Sequence, residues 1–141
     1  MPVDGTVVAL DVGERRIGVA VSDPLGSFAF PHATIERTNV RADVAAILAI
    51  AREREARTIV VGDPLTLAGQ RGIAAGKIDA FVAHLARAFA GRIERIDERL
   101  TTAAVQKSLI GADVSRAKRK TVVDKLAAAM ILETYLARAR A

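Results

Sequence analysis

Apolar positions fall along this chain in two rhythms, and the change from one to the other marks the elements. Residues 6–10, TVVAL, form an unbroken apolar run closed by Asp11, which predicts a strand buried on both faces. Residues 12–16, VGERR, make a turn at Gly13. The apolar run resumes over residues 17–22, so the two runs predict a β-hairpin. Pro24, Gly26 and Pro31 punctuate a loop that holds His32, and residues 33–36 predict a short third strand at an edge. From Asn39, a helix N-cap, the spacing lengthens: Val40, Val44, Ile47, Leu48 and Ala51 recur at helical intervals and predict a helix to about Arg57. A second buried strand over residues 58–62 is followed by a loop over 63–72 that contains Arg71, and Ile78, Phe81, Val82, Leu85 and Phe89 predict a helix over 76–89. Alternation returns at Ile93 and ends in Asp97-Glu98-Arg99. Two threonines then offer N-caps to a short helix over 103–110, residues 113–120 read as a polar connection, and 121–138 predict the final helix. The order βββαβαβαα predicts one α/β domain spanning residues 1–141, a hairpin-led mixed sheet with helices on both faces.

Composition narrows the chemistry. With 141 residues the chain can bury a continuous core without staples. It contains no cysteine, so disulfides, thiolate metal sites and cysteine nucleophiles are excluded. Aromatic residues make up only 4%, which disfavours base stacking as the main binding device. Lys and Arg outnumber Asp and Glu by 21 to 16, and the net charge of +5 favours a polyanionic partner. No basic leader precedes an apolar segment and no run approaches membrane-spanning length, so a cytoplasmic protein is expected, with no membrane partner.

Three acidic positions, each at the end of an element, are the candidate chemistry. Asp11 closes the first strand, Asp97 and Glu98 close the last, and Asp124 lies near the start of the final helix. Open α/β sheets bind their ligands at the strands' C-terminal edge. Asp124 shares a helical arc with Ala127, Ile131 and Tyr135 and so points towards the sheet. Each acid also has a plainer reading. Thr121 and Asp124 form a capping-box pattern, Asp11 can initiate a turn, and Asp97 and Glu98 can pair with Arg95 and Arg99. Alternation alone does not decide which of Asp97 and Glu98 faces inward. Together the acids supply oxygen ligands suited to Mg²⁺ or Mn²⁺, whereas His32 and His84 are isolated and no zinc set exists. Beside such a site, Arg15, Arg16, Arg71 and Arg99 in the loops, with Arg116, Lys118, Arg119 and Lys120 in the polar connection, become candidate phosphate contacts.

Four blocks, ALDVGERRIGVAVSD, IVVGDPLTLAGQRG, DERLTT and KRKTVVDKLAAAMILETYL, resemble in order and spacing the YqgF family, RuvX-like Holliday junction resolvases also described as nucleases of small-subunit ribosomal RNA precursors. The likeness covers nearly the whole chain. It implies a ribonuclease H-like fold of five strands, three of them antiparallel, with Asp11, Glu98 and Asp124 as catalytic and metal-holding residues and Asp97 as a bystander. It further implies a metal-dependent hydrolase of phosphodiester bonds, with processing of the 5′ end of pre-16S rRNA favoured. A junction resolvase acting on branched DNA and a non-catalytic nucleic-acid-binding module are the alternatives. A monomer or weak homodimer is expected, since nothing in the sequence marks an interface. Three positions depart from the family pattern: Asp63 stands where an apolar residue is usual, Thr66 where Asn is, and Ala68 where Asp is. The block DVGERRIGVAVSD also resembles the phosphate-binding hairpin of actin-like ATPases, but 141 residues are too few for their two lobes.

Overall fold

The structure, a computed structural model, describes residues 5–64, 72–98 and 116–140. Three strands, β1 (Val7–Val12), β2 (Arg16–Ser22) and β3 (Ala29–Glu36), run as an antiparallel meander. Helix α1 (Val40–Glu53) carries the chain to β4 (Thr58–Asp63), and α2 (Ile73–Ala88) carries it to β5 (Arg92–Asp97). Both later strands lie parallel to β1, giving the order β3-β2-β1-β4-β5. The last described element is α3 (Arg116–Arg140).

Side-chain alternation divides the sheet into two buried faces. Val8, Leu10, Ile17, Val19, Ile59 and Val61 meet Val44, Ile47, Phe81 and Leu85 of α1 and α2. On the opposite face Val7, Ala9, Ala20, Val60 and Ile96 meet Ala127, Ala128, Ile131, Leu132 and Leu136 of α3. The alanines of α3 bring its backbone close to the sheet, and this closeness positions the site.

Several boundaries differ from the sequence expectation for identifiable reasons. Helix α3 already includes residues 116–120, RAKRK, which are good helix formers with no breaker before Thr121. The expected polar connection is therefore helical from Arg116 onward. Thr121 lies inside the helix, so the capping-box reading of Asp124 fails. Helix α1 ends at Glu53, earlier than expected: Ala56 N–H donates to the Ala51 carbonyl and Glu55 N–H to that of Arg52, a Schellman stop with Glu55 at φ 54°. Its start is as read, with Asn39 Oδ1 accepting from Ala42 N–H. Helix α2 begins at Ile73, with Gly76 tolerated inside it. Strand β3 begins at Ala29, because Pro31 is acceptable on an edge strand, and a bulge lets Val19 pair with Ala33 while Ala20 pairs with Pro31. His32 thus lies on a strand. The short helix expected over 103–110 lies outside the described residues. Among the described residues, no helix is long and apolar enough to cross a membrane.

Candidate nuclease site

The strand register aligns the acids. Asp11 shares the pleat phase of Val7 and Ala9 and so faces α3, and it is only 5% exposed. Its neighbour across the β1/β2 ladder is Gly18, and the parallel register Leu10↔Val61 puts Gly62 beside it on β4. Asp11 is therefore flanked on each side, at one strand spacing of about 4.8 Å, by a residue without a side chain. Each glycine is covered by another acidic residue. A Cβ on Gly18 would overlap the backbone carbonyl of Asp124, and a Cβ on Gly62 would stand 3.0 Å from Oε1 of Glu98. Ile96 packs on the α3 side, so Asp97 faces away and Glu98, just past the strand, turns back to the face of Asp11.

Asp11 and Glu98 line one cleft of about 670 Å³ over the C-terminal edge of β1 and β4, together with Gly62, Arg37, Asp43 and Lys77. Asp124 is held differently: Arg16 Nε donates to its Oδ2 at 2.9 Å, with the two side chains 23% and 19% exposed. Among the described residues, no three acids or histidines stand close enough to share one ion. The fold brings the three predicted acids to one face of the sheet. It does not close them into a single pocket: Asp124 is paired with Arg16 and does not line the cleft of Asp11 and Glu98.

Sequence comparison now decides the family. The model described as "RuvX: Holliday junction resolvase" matches residues 5–138. The chain belongs to the RuvX family. Among curated relatives of this RuvX chain, a Clostridium perfringens protein is 44% identical over 132 residues, covering 94% of this chain and 96% of its own. One from Thermoanaerobacter pseudethanolicus is 47% identical over 131 residues, covering 92% and 94%. Both bear the name "Putative pre-16S rRNA nuclease". Among solved structures, Thermus thermophilus RuvC in complex with a Holliday junction substrate superposes with a TM-score of 0.59 at 16% identity, covering 96% of each chain. At that identity the likeness is one of fold, and it agrees with the ribonuclease H-like sheet described above.

The basic residues singled out in this RuvX sequence fare unevenly. Arg15 is exposed in the β1–β2 turn, where its carbonyl accepts from Arg37 N–H. Arg16 is engaged by Asp124. Arg116, Lys118, Arg119 and Lys120 occupy the first turns of α3, one to two turns before Asp124. Arg71 and Arg99 lie outside the described residues, as do Thr66 and Ala68. Asp63, the remaining departure, is buried and accepts from Arg95 Nη2 at 3.1 Å, while Arg95 Nη1 donates to Asp79 at 2.6 Å. Arg95 thus compensates the acid and ties β4 and β5 to α2.

Sequence reasoning missed the wall of the cleft opposite the acids. Arg37 Nε donates to Asp43 at 3.1 Å and its Nη1 to the Gly13 carbonyl at 2.9 Å, with its guanidinium 5.2 Å from the Phe81 ring centre. Asp43, 2% exposed, also accepts from Thr38 N–H. One arginine therefore fixes the β1–β2 turn to both α1 and α2. The signal was present, since Asp43 lies on the apolar arc of Val40, Val44 and Ile47, where an acid needs a partner. Lys77, paired at 3.3 Å with Glu14 across the mouth of the cleft, carried no comparable signal.

Proposed function

We propose that this chain is a metal-dependent nuclease that hydrolyses phosphodiester bonds at the 5′ end of pre-16S ribosomal RNA in the cytoplasm. The observation that carries the reading is the convergence of Asp11 and Glu98 on one cleft, beside a helix whose backbone is pressed onto Gly18 at Asp124. The donor set is all oxygen, which suits Mg²⁺ or Mn²⁺ and no softer ion. Asp11 and Glu98 would hold such an ion from the cleft, and Asp124 would complete the set. Bound there, the ion supplies a water of lowered pKa and offsets charge at the leaving oxygen.

The chain's own residues do the positioning. Asp11 is held by strand pairing on both sides, and Glu98 is kept against Gly62, so neither needs to be ordered by the substrate. Phosphates entering between acids need cations, and Arg15, Lys77, Arg71, Arg99 and the basic start of α3 are the proposed contacts. The RNA substrate is taken from the names of relatives at 44% and 47% identity. The family description names a Holliday junction, so the test compares both.

The experiment is a parallel cleavage assay in Mg²⁺ and Mn²⁺ on a transcript of the pre-16S 5′ region, on unrelated single-stranded RNA and on a four-way DNA junction. Cleavage of the precursor is expected to fall in Asp11→Asn and Glu98→Gln by more than the ~10–100-fold that loss of an outer-shell partner produces. Full activity in Asp11→Asn would refute the assignment, and preferential cutting of the junction would reassign the substrate.

A further inference from the structure

We infer that Arg16 is the resting counter-ion of Asp124, and that a divalent cation entering the site displaces it by a turn of two side chains over a backbone that stays still. The inference rests on the nuclease reading above and adds to it a residue that sets how tightly the metal is held.

Three observations support it. Asp124 Oδ2 accepts from Arg16 Nε at 2.9 Å, and Asp124 does not line the cleft that Asp11 and Glu98 share. Asp124 cannot approach Asp11 by movement of its helix, because its carbonyl already lies against Gly18 and α3 is packed through Ala127, Ala128 and Ile131. Only the carboxylate is free to reorient. Finally, both partners retain solvent contact, at 23% and 19%, and ion pairs of that kind are weak enough to exchange. A fully buried pair could not be opened at so small a cost.

The electrostatic logic is that of a placeholder. Carboxylates brought to one face of a sheet without a cation repel one another, and a guanidinium on the neighbouring strand relieves that repulsion until a stronger charge arrives. Arg16 is suited to the task because β2 begins at it, so its backbone is fixed while its side chain reaches across Gly18 to α3. In this role it is a positioning residue that acts through Asp124, and its contribution opposes metal binding.

The test is calorimetric titration of Mn²⁺ into the full chain and into Arg16→Gln and Arg16→Lys, without substrate. Removing a competing partially exposed charge is expected to tighten Mn²⁺ binding in Arg16→Gln by about two- to fivefold, with Arg16→Lys close to the wild type. In parallel, the Arg16 Nε–H resonance, followed by NMR, should shift when Mg²⁺ saturates the wild type and should not respond to an equal ionic strength of KCl. Unchanged or weaker Mn²⁺ binding in Arg16→Gln, or an Arg16 resonance that ignores Mg²⁺, overturns the inference even where the wild type cleaves RNA. Absence of Mn²⁺ binding by the wild type overturns both this inference and the metal-dependent reading beneath it.

Discussion

A methyl group placed on Gly18 would enter the backbone of α3. The ideal Cβ position at Gly18 overlaps the carbonyl of Asp124, and nothing can swing aside because the Cβ is fixed by its strand and the group it meets is main chain. Strand β2 cannot yield easily, being hydrogen-bonded to β1 on one side and β3 on the other, so α3 must lift locally from the sheet. Overpacking ordinarily costs about 1–3 kcal/mol, and a clash between two backbones belongs at the top of that range. About 3 kcal/mol corresponds to a fall in Tm of roughly 6–12 °C for a domain of this size. Thermal unfolding followed by circular dichroism, with the urea midpoint as a check, measures it. Gly76→Ala is the internal control: the site is inside α2 with open space around it, so the change should stabilise by ~0.5–1 kcal/mol. If Gly18→Ala melted within about 1 °C of the wild type, a figure below the smallest shift expected for 1 kcal/mol, the close approach of α3 at Asp124 would be refuted. The account of the site would fall with it.

Other perturbations probe the supports. Asp43→Ala strips Arg37 of its buried partner and should cost about 2–3 kcal/mol, read as a lower denaturant midpoint at unchanged m-value. Glu55→Gly relieves a left-handed residue at φ 54° and, after the greater unfolded-state freedom of glycine is offset, should raise stability by about 0.5 kcal/mol in the same assay. His32 is held below its usual 6.5, first by burial and then by the Arg54 guanidinium. The unfolded chain therefore takes up a proton before the folded one, so stability should be full above 6.5 and decline as pH is lowered through the window beneath it. His32→Gln should flatten that part of the stability profile, and an unchanged slope would exclude His32 as its source.

The sheet was readable because its strands are apolar runs with few rivals: residues 6–10, 17–22 and 58–62 all became buried strands. Boundaries drifted where local chemistry departed from the usual signals. Glu55 occupies a left-handed stop that glycine commonly marks, Pro31 sits inside a strand, and a run of Arg and Lys looked like solvated loop although it is good helix material. The place of Asp11 near the end of β1 was readable from the apolar run it closes, and the inward tilt of Asp124 from helical periodicity. Which of Asp97 and Glu98 shares the face of Asp11 was not legible from alternation alone, and it follows from the tertiary fact that Ile96 packs against α3. The partnership of Arg16 with Asp124 spans 108 positions in sequence and joins a strand to a helix. No local pattern encodes that distance. It follows from Gly18, whose missing side chain makes room for the backbone of α3.

The irregularity in β3 has a consequence beyond the site. Among the described strands β3 stands at one end of the sheet, where a regular ladder would offer its outer groups as a template for a foreign strand. Proline at position 31 withholds a donor there, and the extra residue beside it throws the two halves of the strand out of phase. A stray chain pairing along this margin would lose its register at the bulge. Protection against aggregation is thus built into the same segment whose punctuation obscured it as a strand.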